Sequence, residues 1–598
     1  MKVMKGGFVV RRYAFETISL GDRAFAFRWS EPLSAALLAA RAAAVSALGL
    51  PWLLESAAAS GTIAFYLKPS CSSIEEAAAE LIRLWDGIRE EAAAEPRRVE
   101  LPVVYGGEFG PDLGACASRA GMTEARFAEL HSSAVYTVEM MGFAPGFPYL
   151  SGLDDRLEQP RRPNPRMRVP AGSVAVAGNR TGVYPNESPG GWQIIGRTAV
   201  PLFRPEEKEP FPLRPGDQVS FVPAAELSMP GEDEDKDMDK SPWAPANPAL
   251  KVLKPGLLTT VQDTGRAGWR RYGVSAGGAM DDRAMRTANL LVGNDEEDAV
   301  LELTMIGGSY AVERDLLIAV CGADLSPQAD GSPVPMNRPV FVAAGSELTF
   351  GKARFGCRAY VAVAGGVDAP AVLGSRSADP RARIGGGSGG RALAAGDAIG
   401  AAAASPRSAA LLETLRARAE ADGRPARLSA VSWHAADDAR SAAWPGGEGF
   451  TLRVVPGEEW EEFTEASRER LLSAAYRVEA SSDRMGLRLS GEPLLREGGS
   501  ELVSHGVVPG TIQVPPDGNP IVLGAGCQPT GGYPKIAHVI GADWPLLAQA
   551  APGCRLAFEA VTLREAELAW ERTLRERALL KAGIGLRLAQ AASKGGTK

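Results

Sequence analysis

Val169-Pro170-Ala171-Gly172-Ser173-Val174-Ala175-Val176 in the first half of the chain and Val508-Pro509-Gly510-Thr511-Ile512-Gln513-Val514 in the second are two versions of one pattern. Each is a Val-Pro step, a Gly turn and a short β-branched run. Each is followed about twenty residues later by a Gly-Gly pair, Gly190-Gly191 and Gly531-Gly532. The repeat implies one β-rich subdomain used twice, and two such units facing each other leave a cleft suited to a small molecule. Around both copies the chain is mostly β-branched runs cut by Gly, Pro, Asn and Asp, as in TLRVVPG and PIVLGAG, the pattern of barrels or sandwiches. Helices are expected mainly over Ile74 to Ala94 and over Asp281 to Leu291, the second opening on an Asp able to cap its first turn. The expected class is therefore α+β and β-rich, with repeated barrel subdomains beside smaller α/β subdomains.

At 598 residues the chain exceeds what one hydrophobic core supports, so three to five domains are expected. Apolar residues make up 45% and charged residues 23%, a folded composition. The net charge of −7 provides no general field for phosphate backbones or anionic lipid, which argues against nucleic-acid and membrane partners. The N-terminus lacks the apolar core of a signal peptide, and the most apolar stretch, Ala35 to Leu54, carries Arg41 and breaks at Gly49-Leu50-Pro51. Six cysteines show no CxxC or metal-ligand spacing, as expected of reduced thiols in a cytoplasmic protein.

Composition shifts divide the chain. The segment GEDEDKDMDKSPWAPANP (231–248) is too polar to pack and reads as a linker. A stretch from about Ile399 to Gly447 alternates Ala-, Arg- and Asp-rich patches, with a short helix expected over Leu411 to Ala421. Leu563 to about Ala591 reads as a docking helix. The expected division is 1–115, an α/β subdomain; 116–226, the first barrel; 227–249, the linker; 250–398, a β-rich subdomain; 399–447, an insertion; 448–562, the second barrel; and 563–598, helix and tail.

Four motif groups lie in the first half: Gly142-Phe143-Ala144-Pro145-Gly146-Phe147-Pro148-Tyr149-Leu150, Pro160-Arg161-Arg162, Arg168 to Val174, and Asn186-Glu187-Ser188-Pro189-Gly190-Gly191-Trp192. This set resembles the B-subunit family of 5-oxoprolinase, also called allophanate hydrolase subunit 1, which includes a sporulation-kinase inhibitor. In the second half, Val261-Gln262-Asp263-Thr264-Gly265-Arg266, Gly277 to Asp281, Ser482 to Gly486 and Thr530-Gly531-Gly532-Tyr533-Pro534-Lys535 resemble the C-subunit family, also called allophanate hydrolase subunit 2. Both families resemble the halves of the carboxyltransferase domain of urea carboxylase. The resemblance implies cyclophilin-like barrels and, with a separate A subunit, ATP-dependent opening of the lactam 5-oxoproline to glutamate.

The candidate site residues follow from chemistry and motif together. Pro145 and Gly146, with Tyr149, belong to a rigid turn that lets backbone approach a ligand closely. His131 is a candidate general acid-base group, against the competing reading of a packed histidine. Arg166 and Arg168 can fork a carboxylate or phosphate. Asn186, Glu187, Ser188 and Gly190 form a cradle for an oxyanion, with Glu187 as a candidate catalytic carboxylate. In the second half Asp263 with Arg266, and Asp483 with Arg484, read as charge pairs. Gln528, Tyr533 and Lys535 surround the Gly-Gly turn, Lys535 as a third candidate catalytic group that can reach an anion. Gly526, Cys527 and Pro529 depart from the family pattern there, and Cys527 reads as a small filler.

Other motifs are missing. There is no GxxxxGK[ST] phosphate loop, no HExxH helix and no biotin-attachment Met-Lys-Met, so biotin is not expected on this chain. Gly386-Gly387-Ser388-Gly389-Gly390 fits GxSxG without the strand and helix a nucleophile elbow needs, and reads as a flexible loop. The expected function is that of fused B and C subunits of an ATP-dependent lactam hydrolase. ATP and Mg are its expected cofactors, with no resident metal site, and the separate A subunit of 5-oxoprolinase is its expected partner, with room for a homo-oligomer. Alternatives are a biotin-dependent carboxyltransferase acting on a urea-like or amide substrate, and a non-enzymatic regulator of a histidine kinase.

Overall fold

The computed structural model of the chain describes residues 15–595 apart from 32, 89–95, 228–242, 422–426, 437–441, 445–447, 499–501 and 503. Most of the expected linker therefore lies outside the described residues. Among the described residues, the strands build two closed seven-stranded barrels, a four-stranded sheet, two six-stranded sheets and two short ribbons.

The barrels have the same strand order. In the first, Arg98–Tyr105, Gln193–Arg197, Ser173–Ala177, Arg180–Val183, Pro148–Ser151, Val135–Met141 and Gln218–Pro223 run in sequence around the wall, and the last pairs parallel with the first. In the second, Gly449–Pro456, Lys535–Val539, Thr511–Gln513, Ile521–Leu523, Gly486–Ser490, Tyr476–Val478 and Arg555–Ala560 do the same. Full closure removes exposed sheet edges, which suits these short strands. The expected repeat is thus physical. The first barrel also takes in strand Arg98–Tyr105, ahead of the expected division at residue 115.

The N-terminal sheet owes its two faces to strand alternation. In Ala24-Phe25-Ala26-Phe27-Arg28-Trp29 the large rings Phe25, Phe27 and Trp29 join Phe65, Trp52 and Trp85 under the helices Ala35–Ala47 and Ile74–Leu84. The small residues Ala24 and Ala26, with Ala57, Ala64 and Tyr66, face the other way and pack on Val508 of the second barrel. The sheet of the first half is therefore docked on the barrel of the second.

In the second half, the two six-stranded sheets enclose a core of Val252, Leu301, Ile318, Val340 and Val361, while helix Asp282–Val292 covers an outer face. Its N-cap, Asp281, accepts the Ala284 N–H at 2.9 Å. Within the expected insertion, Pro406–Ala421 is a helix burying Leu411, Leu415 and Ala419, and Leu428–Ala430 adds an edge strand. Leu411, Leu415 and Ala419, four residues apart, make the packing stripe there.

The C-terminal helix, Leu563–Gly595, ties the halves together. Glu567 accepts the Ile74 N–H at 2.8 Å, Trp570 donates Nε1–H to Pro69 O at 2.9 Å, and the Arg23 guanidinium lies 4.4 Å above the Trp570 ring. No described helix is long and apolar enough to cross a membrane.

Candidate active site

The Gly142–Gly146 turn sits on the seam between the halves. Gly146 donates its N–H to Tyr272 O at 2.9 Å, and a Cβ on Gly142 would lie 2.6 Å from Thr530 Oγ1. Pro145 is buried, and Tyr149 packs against Phe147 and Trp192, where burial pushes its phenol up to about 12. The turn thus abuts Thr530-Gly531, the short strand that pairs with His505-Gly506. The 142–149 and 528–535 segments, distant in sequence, meet here.

Below this ribbon lies a buried polar cluster. Lys535 is fully buried, its Nζ 3.4 Å from His505 Nδ1, while His505 Nε2 is 2.8 Å from Glu458 Oε2. Glu459 accepts the Lys535 N–H at 2.8 Å, and His538 lies on the same strand with Nδ1 3.1 Å from Thr511 Oγ1. Glu458 Oε1, His538 Nε2 and Gln513 Nε2 are buried without a hydrogen-bond partner among the described residues, as happens where a ligand or water completes a site.

The cluster separates its protonation states. Burial alone would raise Glu458, but the hydrogen bond and charge of His505, with the charges of Lys535 and Arg28, more than offset it and hold the carboxyl below its usual range. Burial raises Glu459, assisted by the Glu458 charge. Burial lowers Lys535 against the pull of both carboxylates, and lowers His538 to about 4. Neighbouring groups with pKa values pushed apart are the arrangement acid-base chemistry uses. Glu458, Glu459 and His505 also place ligand atoms within 4.8 Å of one another. Lys535 stands beside them, Nζ 3.4 Å from His505 Nδ1.

The first barrel holds the same positions with inert chemistry. Arg166 stands three residues before Val169 as His505 stands three before Val508, and Arg166 pairs with Gly190 as His505 pairs with Gly531. Asp112 accepts the Ile194 N–H at 2.8 Å, the counterpart of Glu459 and Lys535. Arg166 then grips Asp112 through two bonds of 2.7 and 2.8 Å, with Arg162 adding a third at 3.0 Å. Ile194 replaces the lysine, and the carboxylate is consumed by arginines.

Several expected roles change in this light. His131 is completely buried inside the first barrel, bonded to Tyr105 Oη at 2.8 Å and to Thr181 Oγ1 at 2.9 Å, and stacked on Phe221. Burial lowers it to about 3, the setting of a packed histidine rather than a solvent-facing one. Glu187 is held bidentate by Arg168 at 3.0 and 2.9 Å and lies 3.9 Å from Arg383 of the other half, an ion pair at the seam. Beside it, Asn186 Nδ2 and Ser188 Oγ are buried without partners among the described residues, which keeps them as ligand-facing candidates. Arg484 binds Glu302 and Gly278 O rather than Asp483, whose Oδ1 accepts the Met485 and Gly486 N–H groups. Asp263 and Arg266 do not pair either: both pin the 372–377 loop, through Ser375, Ser377 and the backbone. Ser388 of the GxSxG match is buried and donates to Arg391 O at 2.7 Å, with Trp243 packed on Gly387, so that loop is anchored. Gln528 is half-buried, Tyr533 is 47% exposed and Cys527 is a buried filler raised to about 12 by burial. Sequence reading missed Glu458, Glu459, His505 and His538; the repeat itself held the signal, because it aligns His505 with Arg166.

Comparison with known proteins agrees with this architecture. Both halves are carboxyltransferase domains: the model for subdomain C and D matches residues 15–213, and that for subdomain A and B matches residues 272–560. The C subunit of 5-oxoprolinase from Escherichia coli K12 is 38% identical over 317 residues, covering 53% of this chain and 93% of that protein. The B subunit of 5-oxoprolinase from Escherichia coli O157:H7 is 48% identical over 179 residues, covering 30% of this chain and 81% of that protein. The chain therefore belongs to the families of the 5-oxoprolinase B and C subunits, the B-like module preceding the C-like one. The crystal structure of TTHA0988 superposes with a TM-score of 0.75 at 35% identity and covers 90% of this chain and 99% of that one.

Proposed function

We propose that the chain supplies the B and C parts of an ATP-dependent 5-oxoprolinase-type lactam hydrolase that works with a separate A subunit. The observation that carries this reading is the buried Glu458–His505–Lys535 cluster beneath the seam, found in a chain whose relatives bear the 5-oxoprolinase name. An unstrained lactam opens only if its carbonyl is activated and its leaving nitrogen receives a proton. Glu459, raised by burial, is assigned as the proton donor, while Glu458, held below its usual range, orients His505 through their 2.8 Å contact. Lys535 stabilises negative charge as it develops. Asn186 and Ser188 on the seam are assigned to the substrate's polar groups.

Lys535 and Arg28 are already balanced by Glu458 and Glu459, so this cluster does not fit a magnesium-bound triphosphate, and we assign ATP to the partner. Supplying ATP, 5-oxoproline and a candidate A subunit tests the reading: glutamate released only when all are present supports it, and none under any condition overturns it. The carboxyltransferase models favour a second reading, carboxyl transfer to an amide, which requires a biotinylated partner to copurify.

A further inference from the structure

The N-terminal sheet does more than cover the second barrel. Strand alternation that sends Phe25 and Phe27 to their own helices puts Arg28 on the face of Ala24 and Ala26, toward the barrel. There Arg28 Nη1 lies 3.5 Å from Glu458 Oε2, a side chain only 2% exposed, while Nε donates to Glu16 Oε1 at 2.5 Å. The contact is supported on both sides: a Cβ on Gly21 would lie 3.2 Å from His538 Cβ, and one on Gly506 would lie 3.2 Å from Tyr66 Oη. Glu16 fixes the guanidinium from the solvent side, so it is presented to Glu458 in one orientation.

We propose that Arg28 is a positioning residue, contributed by the B-like module to the Glu458–His505–Lys535 cluster of the C-like module, so that the site is complete only with the N-terminal sheet docked. The groups facing Glu458 are Arg28 from this sheet, His505 from the ribbon, Lys535 and His538 from the barrel wall, and its neighbour Glu459; Arg496 acts on Lys535 from further along. Arg28 favours the ionised form of Glu458 and disfavours the ammonium form of Lys535. Its removal therefore makes Glu458 harder to ionise and Lys535 easier to protonate, which moves both limbs of a pH–rate profile upward.

The kinetic consequence rests on the lactam-hydrolase reading; the structural one does not. In the full chain with ATP and the A subunit, Arg28→Met should move the kcat–pH profile up by about one unit, a loss of about tenfold on its acid side, with KM within about twofold. Arg28→Lys should restore most of the shift. An unmoved profile in a variant with wild-type melting behaviour overturns the proposal. A second arm needs no activity: with only four histidines in the chain, ring-labelled histidine NMR can follow each one. The His505 signals, assigned through His505→Gln, should move in Arg28→Met at fixed pH and return in Arg28→Lys, while those of His131 stay in place. Unmoved His505 signals overturn the proposal even if turnover is absent, whereas absent wild-type turnover contradicts only the functional reading. Should Arg28→Met fail to fold, Arg28→Gln and Arg28→Lys carry both arms.

Discussion

Arg166 and His505 occupy one register in two barrels, the first opposite Gly190 and the second opposite Gly531, yet Arg166 closes on Asp112 whereas His505 opens onto Glu458 and Lys535. A duplicated fold has kept a structural ion pair in one copy and a titratable cluster in the other. Arg166→Met should then behave as a stability variant. Asp112, 7% exposed, would lose its bidentate partner but keep Arg162 and the Ile194 N–H, at a cost of about 2 kcal/mol, with kcat unchanged. Thermal unfolding and turnover measured together check this, and a selective kinetic defect would contradict it.

The buried histidines define a pH dependence. His131 is lowered to about 3 and His538 to about 4, both by burial, from the ordinary 6.5. The unfolded chain takes up protons at these positions below pH 6.5 while the folded chain does not, so stability should fall as pH drops from 6.5 toward 4. Histidine NMR should show both rings neutral at pH 5, and His131→Phe should flatten the acid slope of the melting temperature. A His131 ring that titrates near 6.5 would contradict its placement in the core.

Glu187 offers a test between the reading from sequence and that from structure. As a catalytic carboxylate it would cost about a hundredfold in turnover when changed to Gln. As a seam ion pair with Arg168, 79% exposed, it should matter little. The expected outcome for Glu187→Gln is turnover within about threefold of wild type and a melting temperature within a few degrees.

The barrels were legible because their signal is local: a Gly turn, a β-branched run and a Gly-Gly step recur in order, and such periodicity survives without knowledge of tertiary contacts. Lys535 was singled out for the same reason, standing beside the Gly531-Gly532 turn. Glu458 and His505 were not, since neither carries a local motif: the pairing of Gly449–Pro456 with Lys535–Val539 brings Glu458 near Lys535, and the ribbon with Thr530-Gly531 brings His505. His131 stood out by rarity, while the burial and the Tyr105 and Thr181 bonds that enclose it come from strands far away in sequence. The charge pairs guessed from adjacency, Asp263 with Arg266 and Asp483 with Arg484, failed because folding offered each a better partner than its neighbour.

Severing the chain at an engineered protease site within 231–247 should leave two fragments that travel together on gel filtration. Arg270 bound to Glu55, the Gly541 N–H bound to Asp22 at 2.8 Å and Trp570 bound to Pro69 all cross between them. Fragments that separate freely would contradict the docking of the N-terminal sheet on the second barrel.

If the chemistry resides in the second barrel's cluster, Lys535 is the residue whose loss should be felt most in turnover. The decisive assay is glutamate formation from 5-oxoproline by the full chain with ATP and the A subunit, comparing Lys535→Met with wild type at equal folded concentration. The expected result is a loss of about a hundredfold or more in kcat with KM nearly unchanged, because Lys535 is buried and acts on charge within the cluster rather than on capture of substrate. Turnover of Lys535→Met within a few-fold of an active wild type would contradict it.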